Sequence, residues 1–260
     1  MSQSGVLDAV AGVLARAQRI LFVTGAGISV DSGLPTYRGI GGLYHDRLTS
    51  EGLSIEEALS GAMMDSRPDI AWRYIAEIEA SCRGAGPNAA HRIIAALEQE
   101  KAMVCVLTQN VDGLHRAAGS HNVIEIHGTV HRLQCMDCHH GRKVLDYDGL
   151  QIPPECPQCG GIMRPEVVLF GEALPTRALE RLEAVLAEGV DVVLSVGTSS
   201  VFPYIAGPVV WAAQCGIPTV EINPGDTPVS ALVDHRLRMC AAEALPELWR
   251  RMRPRDPAED

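Results

Sequence analysis

The chain has 260 residues, of which 47% are hydrophobic and 21% are charged, so it can bury a full core as a soluble globular protein. Its net charge of -10 argues against non-specific nucleic-acid binding and mildly favours basic partners, such as lysine-rich protein segments. No apolar run approaches the roughly 20 residues of a membrane span, and no basic-then-apolar signal opens the chain. These features predict a cytoplasmic protein that binds neither nucleic acid nor membranes.

A short apolar strand and a glycine-rich turn follow the first helix. Apolar residues recur at helical spacing between 6 and 14, and residues 20–23 predict a buried strand. The turn at 25–27 lets the backbone approach a ligand closely, and its N–H groups would suit a pyrophosphate. It departs from the dinucleotide fingerprint, because Val30 takes the third glycine position and the acidic residue expected about 20 positions on is missing. We therefore expect another kind of nucleotide-phosphate site, with the chain continuing as a loop.

Helices and strands alternate through the remainder of the chain. Helices are predicted at 54–63, from Pro68 onward, and at 88–100, 112–118, 176–188, 204–214 and 242–252. Strands are predicted at 103–107, 123–126, 167–170, 190–196 and 217–222. Strands separated by helices predict an α/β fold, in which a parallel sheet carries helices on both faces.

Two C-x-x-C pairs interrupt this alternation between about residues 129 and 164. They are separated by 17 residues, and this spacing predicts a zinc ribbon with two thiolates on each of two tight turns. Four protein ligands leave no open position for water, so such a zinc would be structural. The alternatives are four unligated thiols, or a site in which His139 or His140 is a ligand. The candidate ligands are Cys135, Cys138, Cys156 and Cys159, and we expect the other four cysteines, at 82, 105, 215 and 240, in the core.

Polar residues follow several predicted strands, at the edge where parallel α/β sheets bind their ligands. Asn110 and Asp112 follow one strand, where they either hydrogen-bond a flat amide or only cap the next helix. His127 ends another strand and is either a general base or a structural histidine. The segment 197–200 follows one further strand and Asn223 ends the next, and their small polar groups suit ribose or phosphate oxygens.

Six motifs stand in order along the chain: G-A-G-I-S-V-D-S-G-L-P-T-Y-R-G, T-Q-N-V-D-G-L-H, I-H-G, the C-x-x-C pair, R-P-E-V-V-L-F-G-E and G-T-S. In this order they resemble the sirtuins, a family of NAD-dependent protein deacylases, over roughly residues 12–250. The resemblance implies a Rossmann-like domain made of 1–39, 86–128 and 165–260. It also implies a cofactor loop and helical module at 40–85 and a zinc-ribbon module at 129–164.

The resemblance further implies which residues bind NAD and the acylated protein substrate. Asn110 and Asp112 would hold the nicotinamide carboxamide, and His127 would be the general base. NAD contacts would come from Gly25, Ala26, Gly27, Ile28, Pro35, Tyr37, Arg38, Gln109, Asn110, Asp112, Gly197, Thr198, Ser199, Asn223 and Ala241. The acyl-lysine peptide would lie along Val168, Phe170, Gly171 and Glu172.

The reaction that the resemblance implies removes an acyl group from lysine and consumes NAD. Nicotinamide leaves, the acyl oxygen captures the ribose carbon, and His127 takes a proton from a ribose hydroxyl that then attacks the former acyl carbon. The products are free lysine, nicotinamide and O-acyl-ADP-ribose, and the loop at 40–52 would exclude water. The alternatives are protein mono-ADP-ribosyl transfer and a non-catalytic module that binds NAD or ADP-ribose.

Two departures from the family pattern bear on specificity. Members that remove succinyl or malonyl groups carry a Tyr-x-x-Arg pair in the helical module, and counting back from Pro87 places Arg73 and Ala76 at these positions. An acidic-acyl pocket of that type is therefore absent, and we expect acetyl or another neutral acyl group. After 197–199 the family continues toward Val-Tyr-Pro, whereas this chain has Val201-Phe202-Pro203-Tyr204, so contacts on the peptide side would differ.

Overall fold

The computed structural model describes residues 2–36 and 48–253. Within this part of the chain, every helix is too short or too polar to cross a bilayer. The helices are α1 (Gln3–Arg16), a 3₁₀ helix (Ala26–Ser32), α2 (Ile55–Ala58), α3 (Gly61–Ser66), α4 (Pro68–Cys82), α5 (Ala89–Glu100), α6 (Leu114–Ala117), α7 (Thr176–Ala187), α8 (Pro203–Gln214) and α9 (Ala241–Met252). The strands are β1 (Arg19–Thr24), β2 (Met103–Thr108), β3 (Val123–Glu125), β4 (Gly128–Cys135), β5 (Gly141–Lys143), β6 (Met163–Val167), β7 (Val192–Val196), β8 (Thr219–Ile222) and β9 (His235–Leu237).

The larger sheet is parallel, as the alternation of helices and strands predicts. Among the described residues it contains six strands in the order β3-β2-β1-β7-β8-β9, and β1 pairs with β2 on one side and β7 on the other. Side chains of β1 alternate between the two faces. Ile20 and Phe22 pack with α1, α5 and α9, whereas Leu21 and Val23 pack with α7 and α8. The predicted parallel sheet with helices on both faces is confirmed.

The smaller sheet is antiparallel, in the order β5-β4-β6, and it shares a separate core with α2, α3 and α4. We call this unit the small lobe. Trp72 of α4 is fully buried in that core, where its indole Nε1 donates to the carbonyl of Met163 at 2.9 Å. Its ring contacts that of Tyr147 at 5.3 Å, and the Tyr147 hydroxyl donates to the carbonyl of Val130 at 2.8 Å. These contacts of Trp72 pack the helical module against the cysteine-rich ribbon.

Several predicted elements need correction. The strand predicted at 167–170 is not part of the parallel sheet, because β6 ends at Val167 and pairs with β4, while Phe170 bridges to Ser60. An apolar run predicts a buried strand but does not indicate which sheet it joins. The helix predicted at 54–63 is divided into α2 and α3, since Ser60 caps a new helix. The loop expected after the glycine turn is a 3₁₀ helix, and the sequence patterns did not predict β4, β5 and β9.

Two neutral histidines lie in the core beside β1. The rings of His91 and His115 are 4.9 Å apart and meet edge to face. His115 Nε2 lies 3.0 Å from the hydroxyl of Thr24, and His91 Nδ1 lies 3.1 Å from the side-chain oxygen of Asn88. Burial lowers the pKa of His91 to about 4 and the pKa of His115 to about 3. Protonating either ring in the folded protein therefore requires strongly acidic conditions.

This pair makes the folded state sensitive to acid. Below about pH 6.5 the unfolded chain binds protons on both histidines while the folded chain does not, so stability falls as the pH falls from about 6.5 toward 4. At pH 5 each histidine lowers the free energy of unfolding by about 2 kcal/mol relative to pH 7.5. Urea denaturation at both values should show a smaller loss for His115→Gln than for the wild type. The exposed His121 gives a control variant, His121→Gln, and equal losses in all three proteins would contradict the prediction.

Candidate active site

A cavity of about 650 Å³ lies at the carboxyl ends of the parallel strands, between the large sheet and the small lobe. We call it the main cavity. Its walls come from the turns after β1, β2, β7 and β8 and from the segment after β6. The predicted site residues that line it are Gly25, Ala26, Gly27, Gln109, Asn110, His127, Val168, Phe170, Gly171, Glu172, Gly197, Thr198, Ser199, Asn223 and Ala241. Polar groups predicted at separate strand ends are thus brought to one cleft.

The glycine turn after β1 packs directly on the turn after β7. The Gly27 amide donates to the carbonyl of Gly197 at 2.7 Å, and the Gly25 amide donates to the carbonyl of Val196 at 3.3 Å. A Cβ atom built on Gly27 would lie 2.6 Å from that Gly197 oxygen, so the close approach requires glycine. The Ile28 amide also donates within the turn. Of the turn at 25–27, the amides of Gly25 and Gly27 are therefore already donated within the protein.

A polar cluster lies where β2 ends, against the 3₁₀ helix. Asn110 Nδ2 donates to the carbonyl of Gly25 at 3.1 Å and to Ser29 Oγ at 3.2 Å. Ser29 Oγ in turn donates to Asp112 Oδ2 at 2.8 Å. Asp112 Oδ1 accepts from the Leu114 amide at 3.0 Å, so Asp112 also caps α6. Burial raises the pKa of Asp112. The cluster offers both donors and acceptors to a flat amide, and sequence reasoning missed Ser29 although it lies within the first motif.

His127 follows β3 and lines the main cavity, and hydrogen bonds fix both its ring and its backbone. Its Nδ1 lies 3.1 Å from the carbonyl of Gln109, which can only accept, so Nδ1 carries the proton and Nε2 is an acceptor. Nε2 lies 2.8 Å from the hydroxyl of Tyr204. The His127 carbonyl accepts from the Val168 amide at 3.0 Å. Burial lowers the pKa of His127, partly opposed by the Gln109 carbonyl, so the ring is neutral near pH 7 and can take a proton.

Small polar side chains join the turns after β2, β7 and β8. Gln109 Nε2 donates to Thr198 Oγ1 at 2.7 Å, and Asn223 Nδ2 donates to the Thr198 carbonyl at 2.9 Å. Thr198 is buried, Ser199 is exposed, and Ala241 begins α9 at the same end of the cavity. This end presents hydroxyl, amide and backbone groups, which suit a sugar or a base.

The segment 168–172 runs along the side of the cavity toward the small lobe. The Phe170 amide donates to the Leu59 carbonyl at 2.9 Å, and the Gly61 amide donates to the Phe170 carbonyl at 3.1 Å. Residues 168–170 are therefore extended and paired with the small lobe along one edge, whereas Gly171, with a φ of +82°, lies in a turn that the Glu172 amide closes on the Leu169 carbonyl. Phe170 keeps 38% of its surface exposed. An extended segment beside a cleft can receive a further peptide strand.

The four predicted metal ligands come together in the small lobe. Their Sγ atoms all lie within 4.8 Å of one another, at 3.5 Å for Cys135 and Cys159 and 3.6 Å for Cys138 and Cys156. A tetrahedral zinc with bonds of about 2.3 Å spaces its sulfur ligands about 3.8 Å apart, so the residues fit this metal. The Asp137 amide points to Cys135 Sγ at 3.4 Å, as suits a thiolate.

The prediction that the other four cysteines all lie in the core is wrong. Cys105 is buried, whereas Cys215 is exposed and Cys82 and Cys240 are partly exposed. An apolar neighbourhood in sequence does not decide burial, because Cys215 follows the last turn of α8. Neither His139 nor His140 belongs to the four-cysteine cluster.

Comparisons with known proteins agree with this geometry. The model of the Sir2 family matches residues 25–203. The chain belongs to the Sir2 family. It is 48% identical over 252 residues to NAD-dependent protein deacylase 2 of Pseudomonas aeruginosa, covering 95% of this chain and 98% of that protein. It is 51% identical over 241 residues to NAD-dependent protein deacylase 2 of Pseudomonas syringae, covering 92% and 97%.

Solved structures of Sir2 proteins share the whole fold. A Sir2 homologue in complex with NAD has a TM-score of 0.84 and 35% identity, covering 94% of this chain and 93% of that one. A Sir2 protein with a deacetylated p53 peptide and 3'-O-acetyl ADP-ribose has a TM-score of 0.83 and 29% identity, covering 93% and 96%. The predicted sirtuin resemblance and Rossmann-like fold are thereby confirmed.

Some site residues predicted from the Sir2 resemblance lie outside the main cavity. Pro35 and Asp112 line a small neighbouring pocket together with Ser29. Ile28 is fully buried, packs in the core of the large sheet and lines neither pocket. The predicted contacts of Tyr37 and Arg38 lie outside the described residues.

The Sir2 positions assigned by counting to Arg73 and Ala76 also need correction. From α4, the side chains that line the main cavity are Ile75 and Ile78. Arg73 is exposed and forms an ion pair with Glu51, and Ala76 packs in the small-lobe core. A count along the sequence ignores which face of the helix meets the cavity. Ile75 and Ile78 have the spacing of a Tyr-x-x-Arg pair and are both apolar. The pair is therefore absent from the cavity wall, but the residues that show this are Ile75 and Ile78 and not Arg73 and Ala76.

We expect Cys135→Ser to remove the zinc and destabilise the small lobe. Cys135 ends β4 and is one of four ligands. Its loss leaves the zinc with three protein ligands and weakens the connection between the two C-x-x-C turns. Metal analysis after dialysis should find about one zinc per wild-type chain and much less in the variant, with a lower thermal midpoint. The exposed Cys215 gives a control, Cys215→Ser, that should keep the metal. Equal zinc content in Cys135→Ser and the wild type would contradict a four-cysteine site.

We expect Gly27→Ala to lower the free energy of unfolding by about 1–3 kcal/mol, the usual range for an added methyl group in a packed site. The new Cβ would meet the Gly197 carbonyl and push the two turns apart, so NAD affinity should fall as well. Urea denaturation and calorimetric titration with NAD measure both effects. Gly207 lies in α8 with open space around its Cβ position, so Gly207→Ala is the matched control. Unchanged stability and affinity in Gly27→Ala would show that the turns do not depend on this contact.

Proposed function

We propose that this protein removes acetyl or other neutral acyl groups from lysine side chains of proteins and consumes NAD in the reaction. The observation that carries the proposal is His127, a neutral histidine with a proton on Nδ1 and an acceptor Nε2. It lies in a cavity that is also lined by Asn110 of the polar cluster and by the segment 168–172, while Ser29 and Asp112 line the small pocket beside it. A base, an amide pocket and a peptide-binding edge in one cleft are what deacylation of a protein requires.

The polar cluster suits the task of holding a carboxamide. Asn110 and Asp112 would orient the nicotinamide amide, and Ser29 fixes both side chains through its hydroxyl. A twisted carboxamide favours departure of nicotinamide, and NAD supplies the ribose carbon that accepts the acyl oxygen. Thr198, Asn223 and the Ala241 backbone would contact the adenosine half, with Gln109 and Ser199 near the riboses.

His127 would then take a proton from a ribose hydroxyl at its Nε2 atom. The Gln109 carbonyl holds the ring in the required tautomer and stabilises the imidazolium that forms. Along the same wall, the segment with Val168, Phe170, Gly171 and Glu172 would align the substrate peptide. Support for a protein substrate comes from the Sir2 structure with a p53 peptide and from relatives named protein deacylases, which do not favour the transferase alternative.

The acyl end of the cavity supports a neutral acyl group. Its wall from the small lobe is mostly apolar and carries the acidic Glu56 beside Ile55, Leu59, Ile75, Ile78, Val111 and Val130. An acyl carboxylate buried there without a partner would lose much solvation energy. Arg73 is exposed on α4 and forms an ion pair with Glu51 instead.

A zinc held by the four cysteines would have no open position, so its role is to hold the small lobe together. The cytoplasmic location and the lack of nucleic-acid and membrane partners stay predictions of the sequence.

The test incubates the protein with NAD and an acetyl-lysine peptide and follows nicotinamide release and peptide mass. We expect deacetylation to fall by about 10²–10⁴-fold in His127→Ala, the usual contribution of a general base. His121→Ala, at an exposed histidine, should keep wild-type activity. A succinyl-lysine peptide should react much more slowly than the acetyl peptide.

Two results would overturn the proposal. One is a wild-type protein that releases no nicotinamide in the presence of any neutral acyl-lysine peptide. The other is a His127→Ala variant that deacetylates as fast as the wild type. Nicotinamide release accompanied by a gain of mass on a target protein would indicate ADP-ribosyl transfer instead.

A further inference from the structure

The hydrogen-bonding capacity of His127 is fully used in this structure. Its Nδ1 donates to the Gln109 carbonyl at 3.1 Å, so its Nε2 has one in-plane lone pair and can accept one good hydrogen bond. The Tyr204 hydroxyl lies 2.8 Å from Nε2 and is the donor, because Nε2 carries no proton in this tautomer. The atom that should receive the substrate's proton is therefore occupied by a side chain of the protein.

The fold places the Tyr204 ring firmly at this point. Tyr204 is the second residue of α8, after Pro203 at the first position. Its ring stacks on that of Phe202 with centroids 5.4 Å apart and planes at 13°. Both rings meet the His127 ring edge to face, at 6.2 Å for Phe202 and 5.8 Å for Tyr204. Both also line the main cavity, so the phenol lies on the cavity wall beside the base.

A general base must come within about 2.6–3.2 Å of the hydroxyl that it deprotonates. The Tyr204 oxygen already holds such a position on Nε2, and a second hydroxyl cannot use the same lone pair. We propose that Tyr204 is a positioning residue whose hydroxyl caps His127 Nε2 in the free protein and gives way to a ribose hydroxyl of the bound substrate. This inference rests on the proposed function, because it is the deacylation reaction that brings a ribose hydroxyl to His127.

The cap has two consequences for the protein. In the free state it keeps Nε2 paired, so the half-buried imidazole does not lose a hydrogen bond while the cavity holds no substrate. During the reaction the substrate must replace this bond, so part of its interaction with His127 is offset by the loss of the Tyr204 contact. Removing only the hydroxyl should release the base while keeping the aromatic stack with Phe202.

The first experiment compares Tyr204→Phe with the wild type in deacetylation of an acetyl-lysine peptide. We expect kcat/KM for formation of free lysine to rise about fivefold, the size of one net hydrogen bond. Tyr147 of the small lobe also donates through its hydroxyl, so Tyr147→Phe controls for loss of a buried phenol group and should keep the wild-type value. An unchanged kcat/KM in Tyr204→Phe would overturn displacement of the cap. A large fall in lysine formation with intact nicotinamide release would make Tyr204 a proton relay and would also overturn it.

The second experiment needs no turnover and separates this inference from the proposed function. The ¹⁵N chemical shift of His127 Nε2, measured by NMR in the ligand-free protein, reports whether that atom accepts a hydrogen bond. We expect the Nε2 shift to move toward that of a free acceptor nitrogen in Tyr204→Phe and to stay unchanged in Tyr147→Phe. An unchanged shift in Tyr204→Phe would refute the cap even in an active enzyme. A changed shift in a protein without deacylase activity would keep the cap and refute the proposed function alone.

Discussion

The close contact between two backbone turns is the constraint on which the site depends. Gly27 and Gly197 meet with 2.7 Å between amide nitrogen and carbonyl oxygen, and neither turn leaves room for a Cβ atom there. This contact joins the ends of β1 and β7 at the middle of the sheet and fixes the floor of the cavity. The glycines of the first motif therefore serve backbone packing, and the groups left for a ligand are the side chains and amides around them.

A second constraint connects the two sheets through His127. The ring is held by the Gln109 carbonyl after β2, and the backbone is held by the Val168 amide after β6. Gly128, which follows at once, has a φ of +77°, and a Cβ on it would lie 1.8 Å from the Glu166 carbonyl. The chain thus passes from the parallel sheet into the small lobe at a point that only glycine fits. His127 therefore sits at the junction of the two units, where the main cavity opens between them.

Local patterns in the sequence predicted much of this architecture, and contacts between distant residues account for what they missed. The strands of the large sheet are recognisable because apolar runs such as 20–23 are bounded by turns and helices. The small-lobe sheet was missed because its pairing joins Gly128 to Val167, which no local pattern records. The face of α4 that lines the cavity, with Ile75 and Ile78, depends on how the helix is rotated about its axis, and the local sequence does not specify that rotation. Ser29 and Tyr204 were missed because their importance lies in partners 83 and 77 positions away.

The same cavity joins a rigid polar half to an apolar half, and this division shapes the chemistry. Asn110 lines this polar half and is connected through Ser29 to Asp112 by a chain of hydrogen bonds, and these two partners lie in the small neighbouring pocket. The small-lobe side with Ile75 and Ile78 is mostly apolar, and the one charged residue that lines it among the described residues is the acidic Glu56. A methyl group and a longer alkyl chain are both compatible with such a wall, whereas a carboxylate is not. In the proposed deacylation, selectivity among neutral acyl groups would therefore depend on how far this wall can be filled.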